Sequence, residues 1–394
     1  MAKKRYLQDD IVRDLEDKMV FIGGPRQVGK TTLARLVGNG NYKKYAYLNW
    51  DNRTDRKTIL SEEFPADAGL LIFDEIHKYK KWKNYIKGEY DKHKERFDII
   101  VTGSARLDLY RRGGDSLMGR YHYLRLHPFS LSEVVGKKRE IDVFKELVFT
   151  DDPKGNKARK IFDELFIFGG FPEPFLKKDM RTLRRFHMER LERLVKEDIR
   201  DLESVRDISA IQILVELLPP KVGSLLSLNS MTEDLQVTYK TVAHWMDILE
   251  KFYYHYRIYP YNARTIRSLK KEPKMYLWDW SQISDEAARF ENIIASHLLK
   301  TVHYLTDIEG YKAELFFLRD IESRETDFLV TIDRKPWFSV EVKLSSLEIS
   351  KPLKYFSDKL KIPFNYQVVK KEGIDYQYEN IRVISADKFL SALI

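Results

Sequence analysis

Short apolar runs alternate with helical patterns in the first third of the chain. The runs at residues 19–23, 68–75 and 97–104 are each long enough for a buried strand, and the first is followed at once by apolar residues at helical spacing. Strands that alternate with helices predict a mainly parallel sheet covered by helices. We therefore expect an α/β domain over residues 1–135.

The rest of the chain changes its pattern twice. Apolar residues recur at helical spacing among charged residues between positions 183 and 202, which predicts a helical segment over 136–205. Helix, turn, helix and an aromatic strand follow in that order, so we expect a winged-helix-like domain over 206–265. Two apolar strands around the turn at 333–336 then predict a hairpin inside an α/β domain over 266–394.

A glycine-rich loop joins the first strand to the first helix. It fits the pattern G-x-x-x-x-G-K-[ST], and the residues expected to hold a nucleotide are Gly24, Pro25, Arg26, Gln27, Val28, Gly29, Lys30, Thr31 and Thr32. Glycine lets backbone N–H groups curl around phosphate oxygens, and the helix N-terminus adds partial positive charge. Lys30 can reach the β- and γ-phosphates, the Thr31 hydroxyl can bind Mg²⁺, and Thr32 can reach the α-phosphate. The strand, loop and helix context makes a chance match the weaker interpretation.

Two carboxylates end the second apolar run. Asp74 stands where an acidic residue beside a phosphate loop can hold Mg²⁺. Glu75, one residue further, is the candidate base that orients and deprotonates the attacking water. An Asp-Glu pair that merely opens a helix is the alternative interpretation. The phosphate loop upstream favours the catalytic one.

Polar residues at the end of the third run are candidates for sensing the γ-phosphate. Ser104 fits this role and so does Thr102, although Ser and Thr are also common in turns. An arginine can act on the nucleotide of a neighbouring subunit, and Arg120 is our candidate. Other arginines in the same Gly-rich segment fit equally well, and each also fits a mobile surface loop: Arg106, Arg111 and Arg112.

Composition narrows the possible metal chemistry. The 394 residues include no cysteine, which excludes disulfides, zinc fingers, iron–sulfur clusters and thiol catalysis and leaves carboxylate metal sites. Lys and Arg number 69 against 60 Asp and Glu, and the resulting charge of +9 permits nucleic-acid binding without establishing it.

No apolar run approaches the roughly 20 residues of a membrane helix, and the start of the chain lacks a signal-peptide pattern. We therefore expect a cytoplasmic protein that does not enter a membrane.

These motifs resemble the AAA-superfamily ATPases of bacteria and archaea. Several segments carry the resemblance: the phosphate loop through Leu33, the strand and acids at 71–76, and the stretches at 102–105, 117–121, 127–130 and 168–172. The resemblance spans essentially the whole chain, because this family also carries a C-terminal domain of unassigned function. It implies ATP hydrolysis and ring-like oligomers.

A second group of charged residues lies in the C-terminal domain. Glu341 and Lys343 are two residues apart on a strand and share one face, Asp327 can lie across the hairpin from them, and Glu291 would join from a helix. Two carboxylates with a lysine resemble the PD-(D/E)XK nuclease superfamily, although Thr326 stands where proline is usual. The resemblance implies that Asp327 and Glu341 hold Mg²⁺ and that Lys343 steadies the attacking water. A salt-bridged hairpin is the alternative.

The patterns together predict a phosphate-loop ATPase domain with a parallel sheet, a helical lid plus winged helix, and a restriction-endonuclease-like α/β domain. The expected function is Mg²⁺-dependent ATP hydrolysis on or near nucleic acid, with ATP and Mg²⁺ as cofactors. Two alternatives remain open: a metal-dependent DNA nuclease gated by ATP, and a nucleotide-switched interaction module without nuclease activity. DNA, a protein bound by the C-terminal domain and further copies of this chain are the candidate partners. The helix at 239–245 is the candidate DNA contact.

Overall fold

The computed structural model describes seven stretches of the chain, which are residues 3–103, 117, 119–136, 141–149, 157–199, 207–261 and 272–394. The chain divides into two compact units. The first unit comprises Met1–His127 together with Lys251–Tyr253, and the second comprises Pro128–Glu250 and Tyr254–Ile394. Ser104 and three of the candidate arginines lie outside the described residues.

The first unit is built on a five-stranded sheet. Its strands are β1 (Met19–Gly23), β2 (Tyr45–Asn49), β3 (Leu70–Asp74), β4 (Asp98–Thr102) and β5 (Tyr121–Arg125). They lie in the order β2-β3-β4-β1-β5, and every neighbouring pair is parallel. Every residue of β1 and β3 is buried, as in sheets covered on both faces by helices. The α/β prediction for this part of the chain is confirmed.

Four helices accompany this sheet in the described part of the unit. They are α1 (Gln8–Leu15), α2 (Lys30–Asn41), α3 (Arg53–Ser61) and α4 (Trp82–His93). The side chain of Asn52 caps α3 by accepting hydrogen bonds from two backbone N–H groups. Trp82 and Ile86 of α4 pack with Phe73 in the core on one face of the sheet. The sheet and its helices thus fix the carboxyl ends of β1 and β3, where the candidate site lies.

The second unit contains a mixed sheet of eight strands. They are β6 (His255–Pro260), β7 (Lys274–Leu277), β8 (Ala313–Arg319), β9 (Glu325–Ile332), β10 (Lys335–Lys343), β11 (Phe364–Val369), β12 (Asp375–Tyr378) and β13 (Ile381–Ser385). Their order is β12-β13-β11-β10-β9-β8-β6-β7. The predicted hairpin is confirmed, because β9 and β10 pair antiparallel around Asp333 and Arg334. Both turn residues have positive φ, at 49° and 65°, as a two-residue hairpin turn requires.

The described helices of the second unit are α5 (Leu131–Val135), α6 (Lys157–Phe168), α7 (Pro172–Lys177), α8 (Met180–Arg193), α9 (Ile208–Leu217), α10 (Leu228–Leu235), α11 (Tyr239–Lys251, whose last residue belongs to the first unit), α12 (Glu286–Asp307), α13 (Lys351–Leu360) and α14 (Ala386–Ser391). A π-helix follows α8 at Leu194–Ile199. Within the described ranges, no helix combines the length and the apolar character needed to cross a membrane.

The aromatic strand expected in the winged-helix segment is β6. It pairs antiparallel with β7 and parallel with β8, so this strand is part of the eight-stranded sheet. The predicted limit at residue 265 therefore falls between two hydrogen-bonded strands. The domain limits and the winged helix stay predictions.

The glycine-proline turn at 168–172 has a packing explanation. Gly169 has φ 74°, and a Cβ at Gly170 would lie 2.7 Å from both the Phe129 carbonyl oxygen and the Trp280 ring. Trp280 is itself fixed, because its Nε1 donates a hydrogen bond to the Leu165 carbonyl oxygen at 2.7 Å. Glycine at this turn thus lets two segments of the second unit approach closely.

Candidate functional site

Three residues of the phosphate loop have left-handed backbone conformations. Gly24, Gln27 and Gly29 have positive φ, at 131°, 61° and 100°. A Cβ at Gly24 would lie 2.4 Å from the Leu126 carbonyl oxygen, so a side chain does not fit there. Gly29 is the N-cap of α2 and provides no side-chain cap. The first N–H groups of α2 therefore have no capping side chain to compete with a phosphate oxygen.

Lys30 and Arg5 hold the loop from two sides. The buried Lys30 donates from Nζ to the carbonyl oxygens of Gly24 at 2.9 Å and Pro25 at 2.7 Å. Arg5 donates to the Val28 carbonyl oxygen at 2.7 Å and to the His127 carbonyl oxygen, just beyond β5, at 2.6 Å. The lysine charge thus lies at the loop, as the motif predicts. Arg5 lies outside every motif, and its role could not be predicted from the sequence.

Asp74 receives hydrogen bonds from three hydroxyl groups. Its Oδ2 accepts from Thr31 Oγ1 at 2.8 Å and from the Tyr47 hydroxyl at 2.6 Å, and its Oδ1 accepts from Thr102 Oγ1 at 2.5 Å. The carboxylate is only 4% exposed. Thr102 reaches it because β4 lies next to β3 and aligns the two residues. The structure therefore brings together Thr31 and Asp74, the two predicted Mg²⁺ ligands.

Glu75 follows β3 in a strained backbone conformation. Its φ of 56° is left-handed, which costs a non-glycine residue about 1–2 kcal/mol. Its Oε2 lies 3.6 Å from both His77 Nε2 and Lys78 Nζ. Burial raises the pKa of Glu75, an effect that the charge of Lys78 opposes and that of Asp74 reinforces. Strain and a raised pKa are both typical of catalytic residues.

Tyr47 on β2 is a site residue that the sequence did not indicate. Besides its hydrogen bond to Asp74, its ring lies beneath the Arg35 guanidinium, 3.8 Å from ring centroid to Cζ. Burial, and next the bond to Asp74, raise the pKa of the Tyr47 hydroxyl, which therefore acts as a donor. Nothing in the spacing of the sequence connects β2 to β3; their pairing does.

Three further residues were predicted for this site. Thr32 is exposed on α2. Arg120 is bound on the surface to both carboxylate oxygens of Asp91, at 2.7 and 3.2 Å. Ser104 lies outside the described residues. The roles of Thr32, Arg120 and Ser104 stay predictions.

The predicted residues of the C-terminal domain also come together. Asp327, Glu341 and Lys343 line one cavity of about 640 Å³, and Glu291 is not among its lining residues. Lys343 Nζ lies 2.7 Å from Glu341 Oε1, and Asp327 Oδ2 accepts a hydrogen bond from the Val342 N–H at 2.8 Å. Burial, followed by the charge of Asp327, raises the pKa of Glu341.

A lysine that the sequence did not indicate lies among these acids. Lys274 Nζ is within 3.6 Å of oxygens of Glu291, Glu325 and Asp327. Burial raises the pKa of Glu291, Asp327 raises it further, and Lys274 opposes both. Across the ranges that the structure covers, no group of three or more His, Asp or Glu side chains is arranged to hold a metal ion. The metal roles of Asp327 and Glu341 stay predictions.

Three family models match successive parts of the chain. A model described as "AAA domain" matches residues 16–135. Models described as "Domain of unknown function (DUF8612)" and "Domain of unknown function (DUF4143)" match residues 159–284 and 287–389.

Similar proteins occur in bacteria and archaea. An uncharacterized protein of Methanocaldococcus jannaschii is 23% identical, over 98% of this chain and 89% of its own length. An uncharacterized protein of Haemophilus influenzae is also 23% identical, over 84% of this chain and 83% of its own. Among solved structures, a Thermotoga maritima RuvB variant matches with 17% identity and a TM-score of 0.31, over 68% of this chain and 94% of its own. That superposition is too loose to assign a fold or a function.

The "AAA domain" match and the described geometry concern the same residues. The matched range contains the five-stranded sheet, the phosphate loop, Asp74 and Glu75. The N-terminal part of this chain is therefore similar to an AAA domain, and within it the phosphate loop contacts the acidic end of β3.

Proposed function

We propose that this chain binds ATP at the phosphate loop and hydrolyses it with Mg²⁺ as cofactor. The observation that carries the proposal is the hydrogen bond between Thr31 Oγ1 and Asp74 Oδ2 at 2.8 Å. It joins the end of the phosphate loop to the acidic end of β3. Hydrolysis of the phosphoanhydride bond of ATP uses a cation-binding pair beside an anion-binding loop, and this contact supports such an arrangement.

The residues present fit a magnesium ion. A hydroxyl and a carboxylate within hydrogen-bond distance of each other are the hard oxygen ligands that Mg²⁺ takes, and Thr31 and Asp74 would hold it. Mg²⁺ bound there would neutralise charge on the phosphate oxygens. Tyr47 and Thr102 fix the carboxylate from its other sides, so its position does not depend on the ligand.

Lys30 and Glu75 would bind the phosphates and activate the attacking water. Lys30 bonds to loop carbonyls here, and its ammonium can exchange those partners for phosphate oxygens at the same place. Glu75 in its ionised form would accept the proton of the attacking water. Its raised pKa makes it a stronger base than an ordinary glutamate.

Substitution of Lys30 tests the proposal. We expect Lys30→Met to lose binding of a fluorescent ATP analogue and ATP turnover, while Lys57→Met, at an exposed lysine of the same unit, keeps both. Glu75→Gln should bind the analogue and fail to hydrolyse ATP. Unchanged nucleotide binding in Lys30→Met would refute the site. Binding without turnover in the wild type would favour the nucleotide-switched interaction module instead.

We further propose that the chain acts on nucleic acid, with α11 as the contact. The helix buries one face, including Val242 and Trp245, and leaves Tyr239, Lys240 and His244 exposed. An exposed helix end with a tyrosine and a lysine, in a chain of net charge +9, supports contact with a phosphate backbone.

Fluorescence anisotropy with a labelled DNA duplex tests this second proposal. We expect binding that weakens as salt rises, because phosphate contacts release counterions. Lys240→Glu should weaken it, and Lys251→Glu, at the other end of the same helix, should have a smaller effect. Equal affinities of the two variants and the wild type would exclude α11 as the contact.

A further inference from the structure

Lys274 is a buried cation that contacts three carboxylates. It is the first residue of β7 and only 3% exposed. Its Nζ lies 2.7 Å from Glu325 Oε1, 3.3 Å from Glu291 Oε1 and 3.6 Å from Asp327 Oδ1. The carboxylates come from α12 and β9, so a single ammonium group joins three elements of the second unit. The fourth acid of the cluster, Glu341, is bound to Lys343 instead.

Carboxylate oxygens of this cluster also accept hydrogen bonds from groups other than Lys274. Glu291 Oε1 also accepts a hydrogen bond from the Tyr276 hydroxyl at 2.6 Å, and its Oε2 faces Gly223, where a Cβ would lie 3.1 Å away. Asp327 Oδ2 accepts a hydrogen bond from the Val342 N–H. Mg²⁺ needs near-octahedral oxygen ligands at roughly 2.1 Å, and an ammonium group among the same oxygens repels it.

The balance of charge in the cluster also argues against a bound divalent cation. Besides Lys274 and Lys343, Arg319 contacts the cluster through Glu325 at 2.7 Å, so the described residues place three cations against four carboxylates. Glu341 Oε2 is buried and has no hydrogen-bond partner in the described part of the chain. One such oxygen could accept a proton or a water, but it does not make a metal site.

We infer that Lys274 takes the place of a divalent metal ion in this cluster. The second unit thus carries its own cation, and the resemblance to metal-dependent nucleases covers the carboxylates but not the metal. Lys274 acts as a positioning residue that holds α12 and β9 against β7. Removing its ammonium while keeping the carboxylates should therefore create a site for a divalent cation.

Titration of the full-length, nucleotide-free protein with Mn²⁺ by calorimetry tests this inference. At this cluster, where Mn²⁺ binding would be removed by Asp327→Asn, we expect no binding by the wild type or by Lys335→Met, a control at an exposed lysine of β10. Lys274→Met should gain Mn²⁺ binding at the cluster that the wild type lacks, because an opposing charge is gone. Mn²⁺ should also raise its melting temperature, and adding Asp327→Asn should abolish both effects.

Two results would overturn the inference. The first is Mn²⁺ binding by the wild type that Glu341→Gln removes, together with Mn²⁺-dependent DNA cleavage lost in the same variant, since the acids would then hold a metal beside Lys274. The second is a folded Lys274→Met that binds no Mn²⁺, since the carboxylates would then form no metal site at all. If Lys274→Met does not fold, Lys274→Gln replaces it, and the wild-type titration still decides between lysine and metal. ATP turnover, measured in parallel, separates this inference from the proposed ATPase site.

Discussion

The hydroxyl of Tyr47 offers a sharp test of how the nucleotide site is built. Tyr47→Phe removes the 2.6 Å hydrogen bond to Asp74 and keeps the aromatic ring beneath Arg35. Asp74 retains its bonds from Thr31 and Thr102, so the site should survive with one support fewer. The substitution therefore isolates a single donor at a carboxylate that we propose as a metal ligand.

The expected magnitude follows from the environment of this bond. A hydrogen bond to a charged group contributes about 1.5–3 kcal/mol to stability. Tyr47 is half-buried, so water can partly replace its hydroxyl, and the lower end of that range applies. We expect the free energy of unfolding to fall by about 1.5 kcal/mol. Loss of an outer support of a metal ligand should also lower Mg²⁺ affinity or ATP turnover by about tenfold.

Denaturant unfolding of the nucleotide-free protein measures the first effect, and ATP turnover against Mg²⁺ concentration measures the second. Tyr45→Phe is the matched control, because Tyr45 lies two residues earlier on β2 and its ring packs against Gly38 rather than Asp74. Equal losses in the free energy of unfolding of the two variants would refute this role of the Tyr47 hydroxyl. It fails as well if Tyr47→Phe is destabilised while its dependence on Mg²⁺ is unchanged, since the hydroxyl would then only support the fold.

Three further predictions concern other parts of the molecule. Gly24→Ala should abolish nucleotide binding and lower the melting temperature, because its Cβ would lie 2.4 Å from a backbone oxygen. Gly40→Ala is the control: Gly40 faces open space on α2, and alanine there should raise the free energy of unfolding by roughly 0.5–1 kcal/mol. Lys78→Met should move the acid limb of the pH profile of ATP turnover to higher pH. Lys78 lowers the pKa of Glu75, so without Lys78 the base becomes protonated at a higher pH. An unmoved acid limb would contradict Glu75 as the base. Asn292→Ala should lower the free energy of unfolding, measured in denaturant, by about 2–4 kcal/mol. The buried Asn292 amide accepts a hydrogen bond from the Leu277 N–H and donates one to the Leu277 carbonyl oxygen on β7. A loss below about 1 kcal/mol would show that water replaces those hydrogen bonds.

The sequence was informative where one local pattern determines the structure. β1, β3 and β4 are short apolar runs because they lie in the middle of a covered sheet, and the phosphate loop has a fixed spacing. β2 is buried at alternate positions only and β5 only in part, and neither was predicted. Arg5 and Tyr47 were missed for a different reason. Each bonds to a group more than 20 residues away in the chain, and only the sheet brings them together.

The two charged sites show what a motif can and cannot decide. In the first unit, Thr31 and Asp74 contact each other and Lys30 bonds to its own loop, so the spacing of the motif was enough to predict that these residues lie together. In the second unit, the same kind of carboxylate pattern surrounds Lys274, which comes from a strand outside the hairpin. Acids arranged around a metal ion and acids arranged around an ammonium group are indistinguishable along a sequence, because both need negative charge on one face. The cation itself decides between them, and here it belongs to a strand that pairs with β6 at the far edge of the sheet.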